Sequence, residues 1–380
     1  MIRAQIKPNL LSWARERAGR SIDSLRDKFP KYEEWEQGES IPTLKQLEAF
    51  AKTTYVPVGY LFLNEPPKEE IPIPDLRTIG GRQLGQISPN MLDAIYLCQR
   101  RQAWYRDYAL SAGEDKRAFI GSVQLEDGVE EVADKIRQFL GFELTERRNC
   151  PTWTEALRRF IELAERAGVL VMVSGVVGVN NKRKLDPEEF RGFAIADDFA
   201  PLVFINGSDT KAAQMFTLAH ELAHIWLGES AISDISPASA PSNRIERWCN
   251  AVAAELLVPL EELRMALPQD NPLEAAQNLA RGFKVSTLVI LRRIYDAKRI
   301  SEAIFKEAYD RELAKLKKLP KSSGGDFYLT QEVRASRRFV KALVVSTLEG
   351  QTLYRDAFQM LGIKKEQTFM EFGRRMGVPV

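Results

Sequence analysis

Apolar residues in the first sixty positions recur at intervals of three and four. Leu10, Leu11, Ala14 and Ala18 form one set, Ile22, Leu25 and Phe29 a second, and Leu44, Leu47, Phe50 and Ala51 a third. This is the spacing of helices that bury one face, so residues 1–64 read as a small helical domain. Between Asn64 and Pro74 stand four prolines. They block regular helix and favour an extended connection, and residues 65–84 read as a Pro-rich linker. Helical spacing returns over residues 85–150, with Met91–Leu110 and Gly128–Leu140 as candidate helices, and again over Thr152–Ala167.

The period then changes. Gly168–Ser174, Gly192–Ala196 and Pro201–Asn206 are short, rich in β-branched and aromatic residues, and bounded by Gly, Asp and Asn. They read as strands of one small sheet. Ser208–Gly228 follows as a single helix, with Ser208 or Asp209 as its N-cap and Gly228 as its stop. Asn243–Leu257 is another, ended near Pro259. Residues 151–262 thus form a mixed core. Residues 263–316 read as a helical segment, Lys315–Gly325 as a basic Gly/Ser-containing connector, and 326–380 as a C-terminal helical subdomain.

Composition narrows the classes. The 380 residues suffice for two or three domains, and the 44% apolar and 28% charged fractions are those of an ordinary globular protein. No run of about 18 apolar residues is present, as a membrane span requires, and the N-terminus lacks an apolar signal core. Both readings point to the cytoplasm and to no membrane partner. Cys98, Cys150 and Cys249 are odd in number and widely spaced, which argues against a disulfide framework or a cysteine metal site. Lys and Arg total 54 against 52 acids, so any attraction to nucleic acid must be local. No P-loop or strand-linked GxGxxG is present, so no nucleotide cofactor is expected.

Histidine carries the strongest signal. The chain has two, and both lie in His220-Glu221-Leu222-Ala223-His224. On a helix, residues four apart share a face, so both imidazoles can hold one metal ion. Glu221 lies about 100° round the helix and can reach a water held there without being a ligand. Zinc is the expected metal: it lowers the pKa of a water it holds and polarises a carbonyl, while Glu221 accepts the water's proton as general base. A third ligand cannot be histidine. Glu246 and Asn250 are four apart on the helix 243–257, which suits one carboxylate on the metal and one amide orienting an imidazole. Glu255, nine residues beyond Glu246, falls on the opposite face, toward solvent or a basic partner. Glu229 and Asp234 are nearer the histidines but sit in an apparent loop. The strand Pro201-Leu202-Val203-Phe204-Ile205-Asn206 precedes the zinc helix. As an edge strand it would pair with an extended substrate; as an interior strand it would not.

The runs Pro201-LVFIN-206, Phe216-TLAHELAHIWLG-228 and Glu246-RWCNAVAAELLVP-259 together resemble the ImmA/IrrE family of metallopeptidases over about residues 155–260. Cys249 stands where that family usually has alanine. The resemblance implies that His220, His224 and Glu246 bind Zn2+ and that Glu221 is the base. It implies an α+β, predominantly helical fold, in which a zincin-like sheet and active-site helix are flanked by helical domains. It also implies an endopeptidase of narrow specificity that cleaves a helix-turn-helix repressor or another regulatory protein in stress, mobile-element or toxin–antitoxin control. The alternative is a DNA-binding regulator or antitoxin whose zinc domain is not proteolytic.

Two segments bear on DNA. Residues 10–62, with Leu11-SWARERAG-19, Ser21-IDSLRDKF-29, Trp35-EQGESIPTLKQLEAFA-51 and Val56-PVGYLF-62, resemble the Xre/Cro-type helix-turn-helix domain. Where that domain carries a full recognition helix, this chain has only Arg26-DKFPKYEE-34, interrupted by Pro30 and ending in two acids. Base reading needs polar and basic residues at that position; a protein-interaction module does not. Leu273–Phe283 and Ser286–Arg299 form a second helix-turn-helix pattern, with Arg281, Lys284, Arg292, Arg293, Lys298 and Arg299 as its basic face. It reads equally as a pair of packing helices.

Overall fold

A computed structural model describes residues 3, 5–76, 78–79, 82–83, 87–233, 243–317 and 333–379. The chain divides into one unit of residues 1–71 with 86–92 and another of 72–85 with 93–380.

The first unit holds helices α1 (Pro8–Arg17), α2 (Ile22–Arg26), α3 (Tyr32–Glu36) and α4 (Leu44–Thr54), then a 3-10 turn at Val58–Phe62. Leu11, Ala14, Leu25, Phe29, Trp35, Leu47 and Phe50 fill its core, so the helical spacing read from the sequence does bury one face of each helix. Thr43 and Gln46 close a reciprocal capping box on α4. The stretch between Leu25 and Trp35, where the Xre/Cro-type domain carries its recognition helix, holds only α3, five residues long. Its Tyr32 and Trp35 point into the core. Glu33 and Glu34 pair with Arg26 and Lys31.

In the second unit, strands β1 (Thr78–Ile79) and β2 (Arg82–Gln83) form a short antiparallel pair. Helix α5 (Pro89–Ser111), which belongs to this unit from Asp93 onward, is followed by α6 (Val129–Leu140), α7 (Leu144–Asn149) and α8 (Trp153–Arg166), which lead into strand β3 (Leu170–Ser174). Strands β4 (Val176–Val177) and β5 (Asn180–Lys184) form a hairpin. Strands β6 (Gly192–Ile195), β7 (Leu202–Asn206) and β8 (Ala231–Ile232) join β3 in a mixed sheet of order β3-β7-β6-β8. Helix α9 (Lys211–Leu227) connects β7 to β8. Because β7 pairs parallel with β3 and antiparallel with β6, it is interior and not the substrate-pairing edge. Both its backbone faces are taken, which corrects that expectation for residues 201–206. The outer edge of β8 is occupied by the chain's own Pro74–Leu76 segment.

Alternation decides which residues meet which layer. Val171, Val173, Ala194, Val203 and Ile205 join the core shared with α8 and α9. On the opposite face Phe193 stacks on Phe204 at 4.9 Å, and Met172 approaches Cys98 of α5. With helices on both faces, β3 and β7 are buried throughout, which explains their unbroken apolar runs.

Helices α10 (Arg244–Leu257), α11 (Leu260–Ala266), α12 (Ala276–Phe283), α13 (Thr287–Asp296) and α14 (Glu302–Lys317) follow. One core runs from Phe119 to Tyr309, so residues of 263–316 share the interior of the mixed segment. Residues 318–325 of the expected connector lie outside the described residues. The last helices are α15 (Arg337–Leu348), α16 (Tyr354–Leu361) and α17 (Glu366–Arg375). Buried Arg101 of α5 ties them in, donating to Met360 O and Arg334 O. Among the described residues no helix is long and apolar enough to cross a membrane.

Glu165, at the end of α8, is buried and accepts a hydrogen bond from Ser336, the N-cap of α15. Desolvation pushes its carboxyl from 4.5 up to about 7, against the hydrogen bonds from Ser336 and Arg338. The folded state therefore holds this proton more tightly than the unfolded chain. The stability it contributes is complete below about pH 4.5 and is lost as pH rises through 7. Relative to Glu165→Gln, the wild type should lose about 3 kcal/mol of stability between pH 4.5 and 8, measured as the difference between their urea unfolding curves. Parallel pH profiles of the two proteins would refute this.

Candidate metal centre

Helix α9 places both histidines. Its N-cap is Thr210, whose hydroxyl accepts from Ala213 N, rather than Ser208 or Asp209; Asn206, Asp209 and Gln214 instead tie the preceding turn to the first helical residues. Gly228 stops it at φ +75°, a backbone state that suits glycine. From Gln214 to Trp226 every residue is buried. Helix α9 is thus a central helix, packed between the sheet, α8 and α10. Helix α10 begins at Asn243, whose side chain caps Ile245 N and Glu246 N. That cap fixes the first turn, on which Glu246 stands.

The crossing of α9 and α10 brings the donors together. His220 Nε2 and His224 Nε2 are 3.1 Å apart, His224 Nε2 lies 3.1 Å from Glu246 Oε1, and His220 Nε2 lies 3.4 Å from Glu246 Oε2. A tetrahedral zinc ion with bonds near 2.0–2.1 Å separates its ligand atoms by roughly 3.3 Å. Taken to one or the other oxygen of Glu246, the separations lie within a few tenths of an ångström of that value, so the donor set suits such an ion. Among the described residues these three side chains form the group able to hold a metal, and each is fully buried. His220 Nδ1 lies 3.0 Å from Asn250 Oδ1. With the amide oxygen facing it, that nitrogen carries the proton and leaves Nε2 free as a donor to metal. Asn250 thus falls where the four-residue spacing from Glu246 put it.

Glu221 is fully buried beside the cluster. Burial, and then the Glu246 charge, raise its carboxyl well above the usual range, against a hydrogen bond from Ser233. Burial would also raise Glu246, but His220 and His224 outweigh it through charge and hydrogen bonds and hold it at about 2. Two neighbouring carboxyls are thus driven apart, one toward the proton-holding form and one toward the anion.

Other candidates fall elsewhere. Glu229 is exposed just past α9, and Asp234 lies outside the described residues. Glu255 does not face solvent. It is buried, ion-paired with Arg293 of α13, and accepts from Leu260 N. Arg293 also donates to Val258 O. The basic face read on the second helix-turn-helix pattern is largely consumed: Arg292 pairs with Asp296, Arg299 donates to Pro268 O and Gln269 O, and Lys284 lies over the Trp153 ring. Arg281 and Lys298 remain exposed.

Two residues escaped the sequence reading. Gly192 of β6 faces Glu221 so closely that a Cβ there would sit 2.6 Å from Thr217 Cγ2, 2.8 Å from Glu221 Oε1 and 2.8 Å from Phe204 O. Ser233, just past β8, donates to Glu221 Oε2 at 3.2 Å and lies 3.2 Å from His224 Nε2. A glycine within an apolar run, and a serine among polar neighbours, carry no distinguishing pattern.

Two outcomes follow from this geometry. Gly192→Ala should cost about 1–3 kcal/mol by overpacking, read by urea unfolding, because the Phe204 carbonyl is backbone and cannot move aside; an unchanged midpoint would contradict it. Asn250→Ala should weaken zinc affinity about 10–100-fold by releasing the His220 ring, measured by competition with a chromophoric chelator, and an unaltered affinity would remove Asn250 from the site.

No curated protein matches the chain. Residues 335–375, which include α15, α16 and α17, match the model of a domain of unknown function (DUF8813). Residues 164–295, which carry the sheet, both histidines, Glu221, Glu246 and Asn250, match the model of a peptidase family described as IrrE N-terminal-like domain.

Proposed function

We propose that this chain is a zinc-dependent endopeptidase of narrow specificity. The observation that carries the reading is the buried His220–His224–Glu246 cluster with Glu221 against it, inside a segment similar to a peptidase family. His220, His224 and Glu246 would hold the ion. Zinc in such a site supplies Lewis-acid polarisation of a carbonyl and activation of water. Glu221 takes the proton of the attacking water and returns it to the leaving amine. Asn250 holds His220 in the ligating tautomer. Gly192 leaves room for the Glu221 carboxyl.

The substrate class we favour is a helix-turn-helix repressor or another regulatory protein, a toxin–antitoxin partner included. Its support is the resemblance of residues 10–62 to such repressors. Direct DNA binding is the weaker reading. Helix α3 is short with acids outward, and α13 has Arg293 buried in an ion pair.

Glu221→Gln should retain one zinc per chain by elemental analysis. It should lower cleavage about 10²–10⁴-fold, the share usual for a general base. Cleavage is read as new protein N-termini when the full chain is added to a lysate of its own host cells. New N-termini appearing at an undiminished rate with the Gln variant would overturn the proposal.

A further inference from the structure

The metal centre is closed in this conformation. His220, Glu221, His224 and Glu246 are each 0% exposed, so a peptide carbonyl cannot reach them. Ser233 is 1% exposed, and its hydroxyl lies 3.2 Å from both Glu221 Oε2 and His224 Nε2. An attacking water needs the same neighbours: the base that takes its proton, and the cluster that activates it. A water fills about 30 Å³, so the hydroxyl and the water cannot both occupy that place.

Strand β8, which ends just before Ser233, is paired through its backbone on both sides. Phe193 and Ala194 of β6 pair with Ile232 and Ala231 on one side. On the other, Ile232 N donates to Pro74 O at 2.9 Å and Leu76 N donates to Ile232 O at 3.0 Å. Ser230 Oγ accepts from Ala196 N, and Ile73 is buried beside the strap. The strap is short, and two backbone hydrogen bonds are a contact that another extended chain can replace like for like.

We propose that Ser233 is an internal plug that takes the place of the reactive water, and that the Pro74–Leu76 strap holds it in. An extended peptide segment that displaces the strap from the edge of β8 frees Ser233 to leave, and the same edge then seats the substrate. The proposal rests on the metallopeptidase reading above and adds a resting state to it.

The test uses the full chain loaded with cobalt(II) in place of zinc, titrated with acetohydroxamate and followed by visible absorption. Acetohydroxamate needs the position that Ser233 fills. Ser233→Ala removes the plug and Leu76→Pro removes one strap hydrogen bond. Each should bind the probe at least roughly tenfold more tightly than the wild type. Amide exchange at Ala231–Ser233 should also quicken in Leu76→Pro. Should Leu76→Pro fail to fold, Ser233→Ala alone decides, because it removes a single oxygen. Equal probe affinity in loaded wild type and Ser233→Ala overturns the plug and leaves the peptidase reading intact. A wild-type chain that takes up no cobalt overturns both, and the two failures are told apart by metal content alone.

Discussion

Everything in the second unit depends on holding two imidazoles and one carboxylate about 3 Å apart in a fully buried site. Helical spacing alone supplies the first pair, because His220 and His224 are one turn apart. It cannot supply the third donor. That donor must come from a second helix, crossing at one angle and one register, and a small slip of α10 along α9 would carry Glu246 away. A buried carboxylate without partners is costly, whereas one met by two imidazoles is not. The cluster therefore needs α9 and α10 fixed with respect to each other even before any ion is considered.

The packing meets that need from both ends of α10. At its start, the Asn243 cap fixes the first turn, and Asn250 meets His220 one turn past Glu246. At its end, Glu255 is locked to Arg293, which also holds the Val258 carbonyl where the helix stops. The α13 arginine that looked available for phosphate is thus spent on anchoring the ligand helix. Pulling Arg293 out to meet DNA would leave Glu255 buried and unpaired, a far larger loss than one phosphate contact returns. The same interaction that steadies the metal centre argues against α13 as a recognition helix.

The motif and its partners were legible because they obey helical periodicity. His220, Glu221 and His224 are fixed by their spacing, and Glu246 and Asn250 by their separation of four. The helices of 89–111, 129–140 and 153–166 were legible for the same reason, since each buries one face. Pairing was not legible. Nothing in Leu202–Asn206 says whether one or both backbone edges are taken; an unbroken apolar run fits either, and only the β3 and β6 neighbours decide it. Strand β8 has two residues, too few for any period. Gly192 matters through a space it leaves empty, and Glu255 through a partner 38 residues away. Contacts between segments distant in the chain leave no trace in local spacing.

The proposed plug would have a consequence for selectivity. If the plugged form is the resting state, only the open fraction of molecules binds substrate, and apparent affinity falls by that fraction. A random peptide must then offset the lost strap pairing at β8 as well as supply its own contacts. A peptide that already presents an extended segment to the β8 edge replaces the two hydrogen bonds to Ile232 as it displaces them. Discrimination then comes from shape, through the main-chain geometry of the β8 edge. On the proposed peptidase reading, specificity would be a property of the sheet edge, and the cost of opening would separate a partner able to add a strand from the many exposed peptide bonds around it.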